Sequence, residues 1–236
     1  MSQSLLEIMG TKVFVYHRDR IPQETPAIVI TNHRSAMDAF ITIAVLEGKV
    51  RFACHHYMGQ VPIMREIVDL LGCFPLEKPQ QRKQHFFKQA TNLLKVQQWV
   101  GIFPEGGEPM LNLTKPTEVG KFERGFAHLA LRTPLPNLAI LPVAIASVEE
   151  TIEQGLPIRF LRLFDPKEPL FDRSGLHPMV FYNRVNVAIG RPYWITEKDK
   201  QQYRGKQAKK TIEEITAYCQ QEISTLVTWG CNRYLT

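Results

Sequence analysis

The sequence predicts one α/β domain over residues 1–236, with a largely parallel central sheet flanked by helices. Short runs of apolar, β-branched residues alternate with segments in which apolar residues recur at helical spacing. The chain has 236 residues, 44% of them hydrophobic, which is enough for one core of ordinary size. No internal repeat or low-complexity stretch divides it. This alternation is typical of βαβ units, whose parallel strands are covered by helices.

Each predicted element follows from a local pattern. The run 27–31 is apolar and β-branched, Ser35 is a candidate N-cap for the helix that follows, and Gly72 is suited to end a helix. In order, the predictions are a strand at 27–31, a helix at 36–46, a strand at 51–54, a helix at 61–71, an extended segment at 73–76, a helix at 81–99, a strand at 100–103, a loop at 106–120, a helix at 122–131, a strand at 139–145, a strand or bent pair at 180–189, and a closing helix from 206 to between 227 and 229.

Composition narrows the classes of function. The net charge of +6 suits anionic partners such as phospholipid headgroups, nucleic acid or an acidic carrier protein. Four cysteines without CxxC spacing favour reduced thiols over a disulfide frame or a zinc site. No apolar stretch reaches the ~18 residues of a membrane-spanning helix, and the first residues do not resemble an export signal. We therefore expect a cytoplasmic protein.

His33 and Asp38 are the first candidate catalytic pair. His33 follows the predicted strand 27–31, and Asp38 lies five positions further on. Residues at this spacing do not share a face of one helix, so the pair can meet only where a strand bends into a helix. A carboxylate that binds one ring nitrogen leaves the other free to accept a proton, as a general base requires. The spacing alone also fits a structural, hydrogen-bonded histidine.

Glu105 is the second candidate. Pro104 and Gly106 flank it at the end of a predicted strand, so the carboxylate is held in a tight turn. Ligands gather at the carboxyl ends of parallel strands, which predicts that Glu105 and His33 share one cleft. An ordinary surface turn is the alternative.

Together these segments resemble the glycerolipid acyltransferase family, which includes glycerol-3-phosphate and 1-acylglycerol-3-phosphate (PlsC-like) acyltransferases. The resemblance rests on Asn32-His33-x4-Asp38 and on Phe103-Pro104-Glu105-Gly106. Weaker similarity is found at 72–78, 122–127, 141–145 and 187–192, so the motif-bearing part is about 28–192.

The resemblance implies acyl transfer from acyl-CoA or acyl-carrier protein to a hydroxyl of an acceptor such as lysophosphatidic acid or glycerol phosphate. By this analogy His33 is the general base, Asp38 orients it, and Glu105 and Gly106 position the acceptor. No acyl-enzyme, metal or prosthetic group is expected, since the acyl thioester is a co-substrate.

Two positions depart from the family pattern. The second block ends in Lys78 where arginine is usual, and the third continues with Glu108 where a Thr-Arg pair is common. Lys78 is a candidate to bind the acceptor phosphate as a point charge. Arg82, Lys121 and Arg124 are candidates to compensate for the missing arginine of the third block. Otherwise the acceptor carries no phosphate monoester.

The sequence lacks the motifs that several other classes of function require. A serine hydrolase would need GxSxG, and a nucleotide-binding protein GxxxxGKS/T or GxGxxG; the sequence has none of these. A nucleic-acid binder would interleave aromatic and basic residues on one face, and no such stripe is found. Adjacent strand residues face opposite ways, which argues against a nucleophile or metal site at Cys54, His55 and His56. The main rival is a non-catalytic lipid- or carrier-binding module that retains the fold.

We expect contact with an anionic membrane surface on the cytoplasmic side to be peripheral. The candidate surfaces are the helix 81–99, where Arg82, Lys83 and Lys88 lie near Phe86 and Phe87, and the closing helix with Trp229 and Tyr234. These aromatic side chains would alternatively belong to the core.

Overall fold

A computed structural model describes residues 10–54, 66, 72–75, 82–157 and 175–233. Its strands are β1 (Lys12–Tyr16), β2 (Ala27–Thr31), β3 (Val50–Cys54), β4 (Phe74–Pro75), β5 (Trp99–Ile102), β6 (Ala139–Pro157), β7 (Leu176–Ile189) and β8 (Tyr193–Trp194). Its α-helices are α1 (Met37–Val45), α2 (Arg82–Lys95), α3 (Glu108–Asn112), α4 (Gly125–Arg132), α5 (Glu197–Arg204) and α6 (Ala208–Cys231), and a 3-10 turn spans Arg18–Arg20.

One mixed sheet organises these elements. In the described residues its strands lie in the order β1, β7, β6, β2, β5, β3, β4, and β8 pairs with the start of β6. Neighbours are parallel except that β6 is antiparallel to β7 and to β8. The predicted fold class, a largely parallel sheet flanked by helices, is confirmed.

The central strand β2 shows why helices cover both faces. All five of its residues are buried. Alternate side chains point to opposite faces, so Ile28 and Ile30 pack with apolar residues of α2, α4 and α6, whereas Ala27 and Val29 pack with those of α1. Each face of the strand therefore needs its own layer.

Several predicted boundaries are wrong. Helix α2 ends at Lys95 and not at 99, because the chain turns through Gln97 with a left-handed φ of 62° before β5 begins. Helix α4 begins at Gly125, three residues later than predicted. The loop 106–120 contains the short helix α3. The N-cap of α1 is Ala36, although the Ser35 hydroxyl does accept a hydrogen bond from the Met37 N–H at 3.0 Å.

The predicted strand at 139–145 is much longer than expected. β6 runs on to Pro157 and pairs with β7 as far as Leu176, beyond the point where β2 ends beside Val143. We call residues 149–157 and 176–184 the β6–β7 arm. Most of its outer half is exposed, whereas 139–147 is buried. Periodicity could not reveal this extension, because the arm lacks the continuous apolar run that marks the inner strand.

The predictions for Lys78, for Tyr234 and, apart from residue 66, for the helix 61–71 lie outside the described residues. Among the described helices, none combines the length and apolar character needed to cross a bilayer.

Candidate active site

His33 and Asp38 meet at the carboxyl edge of the sheet. The chain leaves β2 at Thr31 and enters α1 at Met37, and the bend between them brings His33 Nδ1 within 3.1 Å of Asp38 Oδ2. The His33 side chain is 15% exposed and that of Asp38 is fully buried. With Nδ1 engaged, Nε2 is the ring nitrogen that can accept a proton.

The Asp38 carboxylate is held by further donors. The backbone N–H groups of Arg34 and Ser35 each donate to Oδ2 at 2.8 Å, and the Tyr182 hydroxyl donates to Oδ1 at 2.9 Å. A buried charge is costly unless such donors replace water, and the first turn of a helix also favours an anion. These donors hold the carboxylate in place, so it can fix the imidazole in one orientation.

Asn32 anchors the strand end that precedes the histidine. Its amide nitrogen donates to the Ile145 carbonyl, and its amide oxygen accepts from the Ile145 N–H, both at 2.9 Å. Asn32 is buried beside β6. The side chain thus binds both backbone groups of one residue on the neighbouring strand.

Glu105 lies beside His33 because β5 and β2 are adjacent parallel strands. Its Oε1 accepts from the His33 backbone N–H at 3.0 Å, and its Oε2 accepts from the Gly120 N–H. Glu105 is only 8% exposed, and this burial raises the pKa of its carboxyl group above the ordinary value of 4.5, although the two N–H donors oppose the shift. Glu105 therefore ties the histidine to the loop at 120.

Two glycines allow the close contacts around Glu105, one in its own turn and one in the loop that binds it. Gly106 has a φ of 70°, which residues with a Cβ rarely adopt. A Cβ at Gly120 would lie 2.9 Å from Glu105 Oε2, so only glycine lets the N–H approach the carboxylate so closely.

The imidazole rests on an aromatic stack. The His33 and Phe103 rings are parallel within 13° at 3.7 Å between centroids, and Phe103 stacks in turn on Phe52 at 4.7 Å. Phe52 lies over Gly101, where a Cβ would approach its ring to 2.6 Å. This stack covers one face of the imidazole and restricts its tilt.

A family model described as Acyltransferase matches residues 12–146, more than half of the chain and including the whole His33–Asp38–Glu105 site. The chain belongs to the acyltransferase family. The predicted family resemblance is thereby confirmed.

Individual relatives agree. The chain is 26% identical over 141 residues to the 1-acyl-sn-glycerol-3-phosphate acyltransferase of Borreliella burgdorferi, covering 59% of this chain and 53% of that protein. It is 27% identical over 139 residues to the enzyme of the same name from Pseudomonas aeruginosa, covering 58% and 50%. The chain thus matches about half the length of these curated relatives.

A solved structure is similar in fold. The crystal structure of the 1-acyl-sn-glycerophosphate (LPA) acyltransferase PlsC from Thermotoga maritima superposes with a TM-score of 0.64 at 18% identity. The match covers 100% of this chain and 78% of that one. The α/β architecture of this acyltransferase-family chain is therefore shared with PlsC.

Among the described residues, the other predicted phosphate-binding residues come from different segments of the chain. Lys121 is exposed and follows Gly120 directly, whereas Arg124 forms an ion pair of 3.2 Å with Glu213 on α6. Arg82 is the first residue of α2, and Lys78 lies outside the described residues. Glu108 begins α3 and accepts a hydrogen bond from Asn112 at 2.9 Å.

Sequence reasoning missed the residues that fasten the β6–β7 arm to the site. Arg34 donates to both carboxylate oxygens of Glu150, at 2.7 and 3.0 Å, and to the Thr114 carbonyl at 2.8 Å. Ser35 Oγ donates to the Val180 carbonyl at 2.6 Å. Burial by itself would lower the pKa of the Arg34 guanidinium, but the hydrogen bond and the charge of Glu150 raise it, and the net shift is upward. The base of the arm is thus bonded to the same turn that carries His33 and Asp38.

Tyr182 is the second omission. It lies on β7, is buried, and meets Asp38 across 144 positions of sequence. Burial, followed by the nearby Asp38 charge, raises its pKa well above the usual tyrosine value, so the hydroxyl keeps its proton and acts as a donor. No local pattern marks such a partner, since it is defined only by the sheet order.

Proposed function

We propose that this chain catalyses acyl transfer from an acyl thioester to a hydroxyl of a glycerolipid acceptor, with 1-acylglycerol-3-phosphate as the first acceptor to test. Two facts support the proposal: the chain belongs to the acyltransferase family, and its His33 imidazole is oriented by a buried carboxylate while remaining partly exposed. The names of the curated relatives suggest the acceptor.

His33 Nε2 takes the proton of the acceptor hydroxyl while the hydroxyl oxygen attacks the carbonyl carbon of the thioester. The tetrahedral intermediate then expels the thiolate, which receives the proton from the imidazolium, giving an ester and a free thiol. Asp38 stabilises the transient imidazolium through Nδ1 and holds the required tautomer. No acyl-enzyme is needed, because the substrate oxygen is itself the nucleophile.

We propose that Glu105 mainly positions the general base His33 and does not itself bind the acceptor. Both its oxygens accept backbone N–H groups, one of them from His33 itself. We assign it a positioning role, and place the acceptor against Gly106 and the exposed Lys121 at the mouth of the turn. Lys78, Arg82 and Arg124 remain proposals for phosphate contact. Of the three, Arg124 would first have to leave Glu213.

The donor is proposed to be acyl-CoA or acyl-carrier protein, used as a co-substrate without metal or prosthetic group. The reaction is placed in the cytoplasm, at an anionic membrane face that supplies the acceptor. The net charge of +6 favours both an anionic carrier and an anionic surface. Nucleic acid is not a proposed partner.

A non-catalytic lipid- or carrier-binding module is the second candidate. Glu108 favours it, because this chain has a carboxylate where the family resemblance leads us to expect a phosphate-binding arginine. The two candidates share a fold and differ in turnover.

The deciding experiment supplies purified protein with labelled acyl-CoA or acyl-carrier protein and a panel of acceptors, with and without a phosphate group. The enzyme is supported by transfer that His33→Ala reduces by about 10³-fold or more, an effect typical of losing a general base. His128→Ala is the matched control, since His128 contacts Tyr203 on α5 and lies outside the site. Binding of donor or acceptor without turnover on any acceptor would favour the module.

A further inference from the structure

The β6–β7 arm exposes large apolar side chains on the edge of the sheet where His33 lies. In the described part of the chain, six large hydrophobic residues are exposed: Val96, Leu113, Ile152, Leu176, Met179 and Trp194. Three of them are on the arm. Leu113 lies beside the arm. The carbonyl of the next residue, Thr114, accepts a hydrogen bond from Arg34, and Arg34 also pairs with Glu150 at the base of the arm.

The other two exposed residues lie at the opposite edge. Val96 precedes β5, and Trp194 pairs with Ala139, the first residue of β6. Among the described residues, four of the six exposed large apolar side chains therefore lie at the end of the sheet that carries His33, and two at the opposite end.

Both faces of the arm carry exposed apolar groups. Ile152 is paired with Val180, and Glu153 with Met179, in regular antiparallel register. Adjacent residues on a strand point to opposite faces, so Ile152 and Met179 project on opposite sides of the two-stranded arm. Ile152 is 49% exposed and Met179 is 42% exposed. A protein partner packed on one face would cover one of them, whereas a lipid layer can surround both.

The sequence that joins the two strands of the arm has matching chemistry. Between Pro157 and Leu176 the chain contains the large apolar residues Ile158, Phe160, Leu161, Leu163, Phe164, Leu170 and Phe171. The cations Arg159, Arg162, Lys167 and Arg173 and the anions Asp165, Glu168 and Asp172 lie among them, for a net charge of +1. Large apolar groups interleaved with charged ones, with cations in slight excess, suit the boundary between acyl chains and phospholipid headgroups.

We propose that the β6–β7 arm is a membrane-docking element, whose exposed Ile152, Leu176 and Met179, with Leu113 beside them, enter the headgroup region of a phospholipid bilayer. The base of the arm is bonded to the catalytic turn through Arg34, Ser35 and Tyr182. Docking would therefore hold His33 at the lipid surface. The link to catalysis rests on the proposed function, but the docking itself does not.

The test measures co-sedimentation with phosphatidylcholine vesicles and with phosphatidylcholine–phosphatidylglycerol vesicles, each at low and high salt. Ile152→Asp and Met179→Asp should each weaken binding about three- to tenfold, the effect expected from half of a large aliphatic side chain, and should do so at both salt concentrations. Val96→Asp is the matched control: it is 66% exposed at the other edge and should bind like the unaltered protein.

A gain of affinity separates docking from damage to the fold. Ile152→Trp should strengthen binding and shift its fluorescence to shorter wavelength with vesicles, because tryptophan favours the interface. Melting temperatures of all four variants should match that of the parent chain. Equal binding by the Asp variants and Val96→Asp would overturn the proposal. A change in oligomeric state on Asp substitution, with unaltered vesicle binding, would also overturn it, because the arm would then contact a second copy.

Transfer assays keep this proposal distinct from the proposed function. The Asp variants should lose turnover of an acceptor presented in vesicles but retain it for a short-chain, monomeric acceptor. If the parent chain transfers no acyl group at all, the proposed function fails while the vesicle result stands. If the variants lose both activities equally, the arm is not specific to the interface and the docking proposal fails.

Discussion

Replacing Tyr182 with phenylalanine deletes one oxygen atom at the centre of the site without changing the shape of the ring. Its hydroxyl donates to Asp38 Oδ1 at 2.9 Å, and Asp38 has no exposed surface. Water cannot readily replace the lost donor there. The variant therefore tests whether the buried carboxylate needs this hydrogen bond in addition to its backbone donors.

The structure sets the expected size of the effect. A buried hydrogen bond to a charged group contributes about 1.5–3 kcal/mol, so Tyr182→Phe should lower the free energy of unfolding by this amount. For a chain of this length each kcal/mol corresponds to about 2–4 °C, which predicts a melting temperature lower by about 3–12 °C. The kcat should fall about tenfold with KM little changed, because Asp38 orients the base but does not bind the acceptor.

Tyr193→Phe is the matched control. Its hydroxyl binds Asp199 at 3.3 Å in a partly exposed position, so the same chemical change should cost less than about 1 kcal/mol. Denaturant unfolding of both variants, with transfer kinetics, provides the comparison. If Tyr182→Phe is no less stable than Tyr193→Phe, the hydroxyl does not stabilise Asp38 and the assigned network is wrong.

Three further predictions concern the frame around His33. Gly101→Ala should cost about 1–3 kcal/mol and reduce transfer, since its methyl group would displace Phe52 and the stack on which the imidazole rests; unchanged unfolding and kcat would contradict this. In the parent chain the raised pKa of Glu105 means that the folded state holds its proton more tightly, so this group should make stability fall as pH rises above 4.5 towards its folded pKa. Glu105→Gln should remove that component, which titration of the unfolding free energy against pH would show as a smaller fall above pH 4.5, and it should slow transfer in the acyl-transfer assay; an unchanged pH dependence would contradict this reasoning. Arg34→Met should cost about 3 kcal/mol by leaving the Glu150 carboxylate unpaired, and adding Glu150→Met should recover much of it; a fully additive pair would refute the ion-pair account.

Hydrophobic patterns over a few residues predicted those strands and turns that are determined by neighbouring residues in the sequence. The apolar run of β2, all of it buried, gave a strand with the observed bounds, and the need for a bend before Asp38 placed the strand-to-helix junction correctly. The expectation that Glu105 and His33 share an edge also agrees with the structure, because parallel strands that are adjacent end on the same side.

The rest depends on contacts between distant residues. Arg34, Glu150 and Tyr182 are joined by the order of the strands, which no local spacing reveals. The outer arm was missed because exposed strand residues alternate weakly in hydrophobicity. In the folded chain Arg124 pairs with Glu213 on α6, another contact between distant residues that local spacing does not reveal.

The side chain of Asn32 has a consequence for how a catalytic loop can begin. By occupying both the N–H and the carbonyl of Ile145, it substitutes for one rung of backbone pairing. The main chain can therefore leave the sheet at Asn32 while the N–H and carbonyl of Ile145 on β6 keep their hydrogen-bond partners. Aspartate lacks the donor, leucine lacks both functions, and glutamine is a methylene too long, so the choice of amino acid at that departure point is narrow for reasons unconnected with the reaction itself.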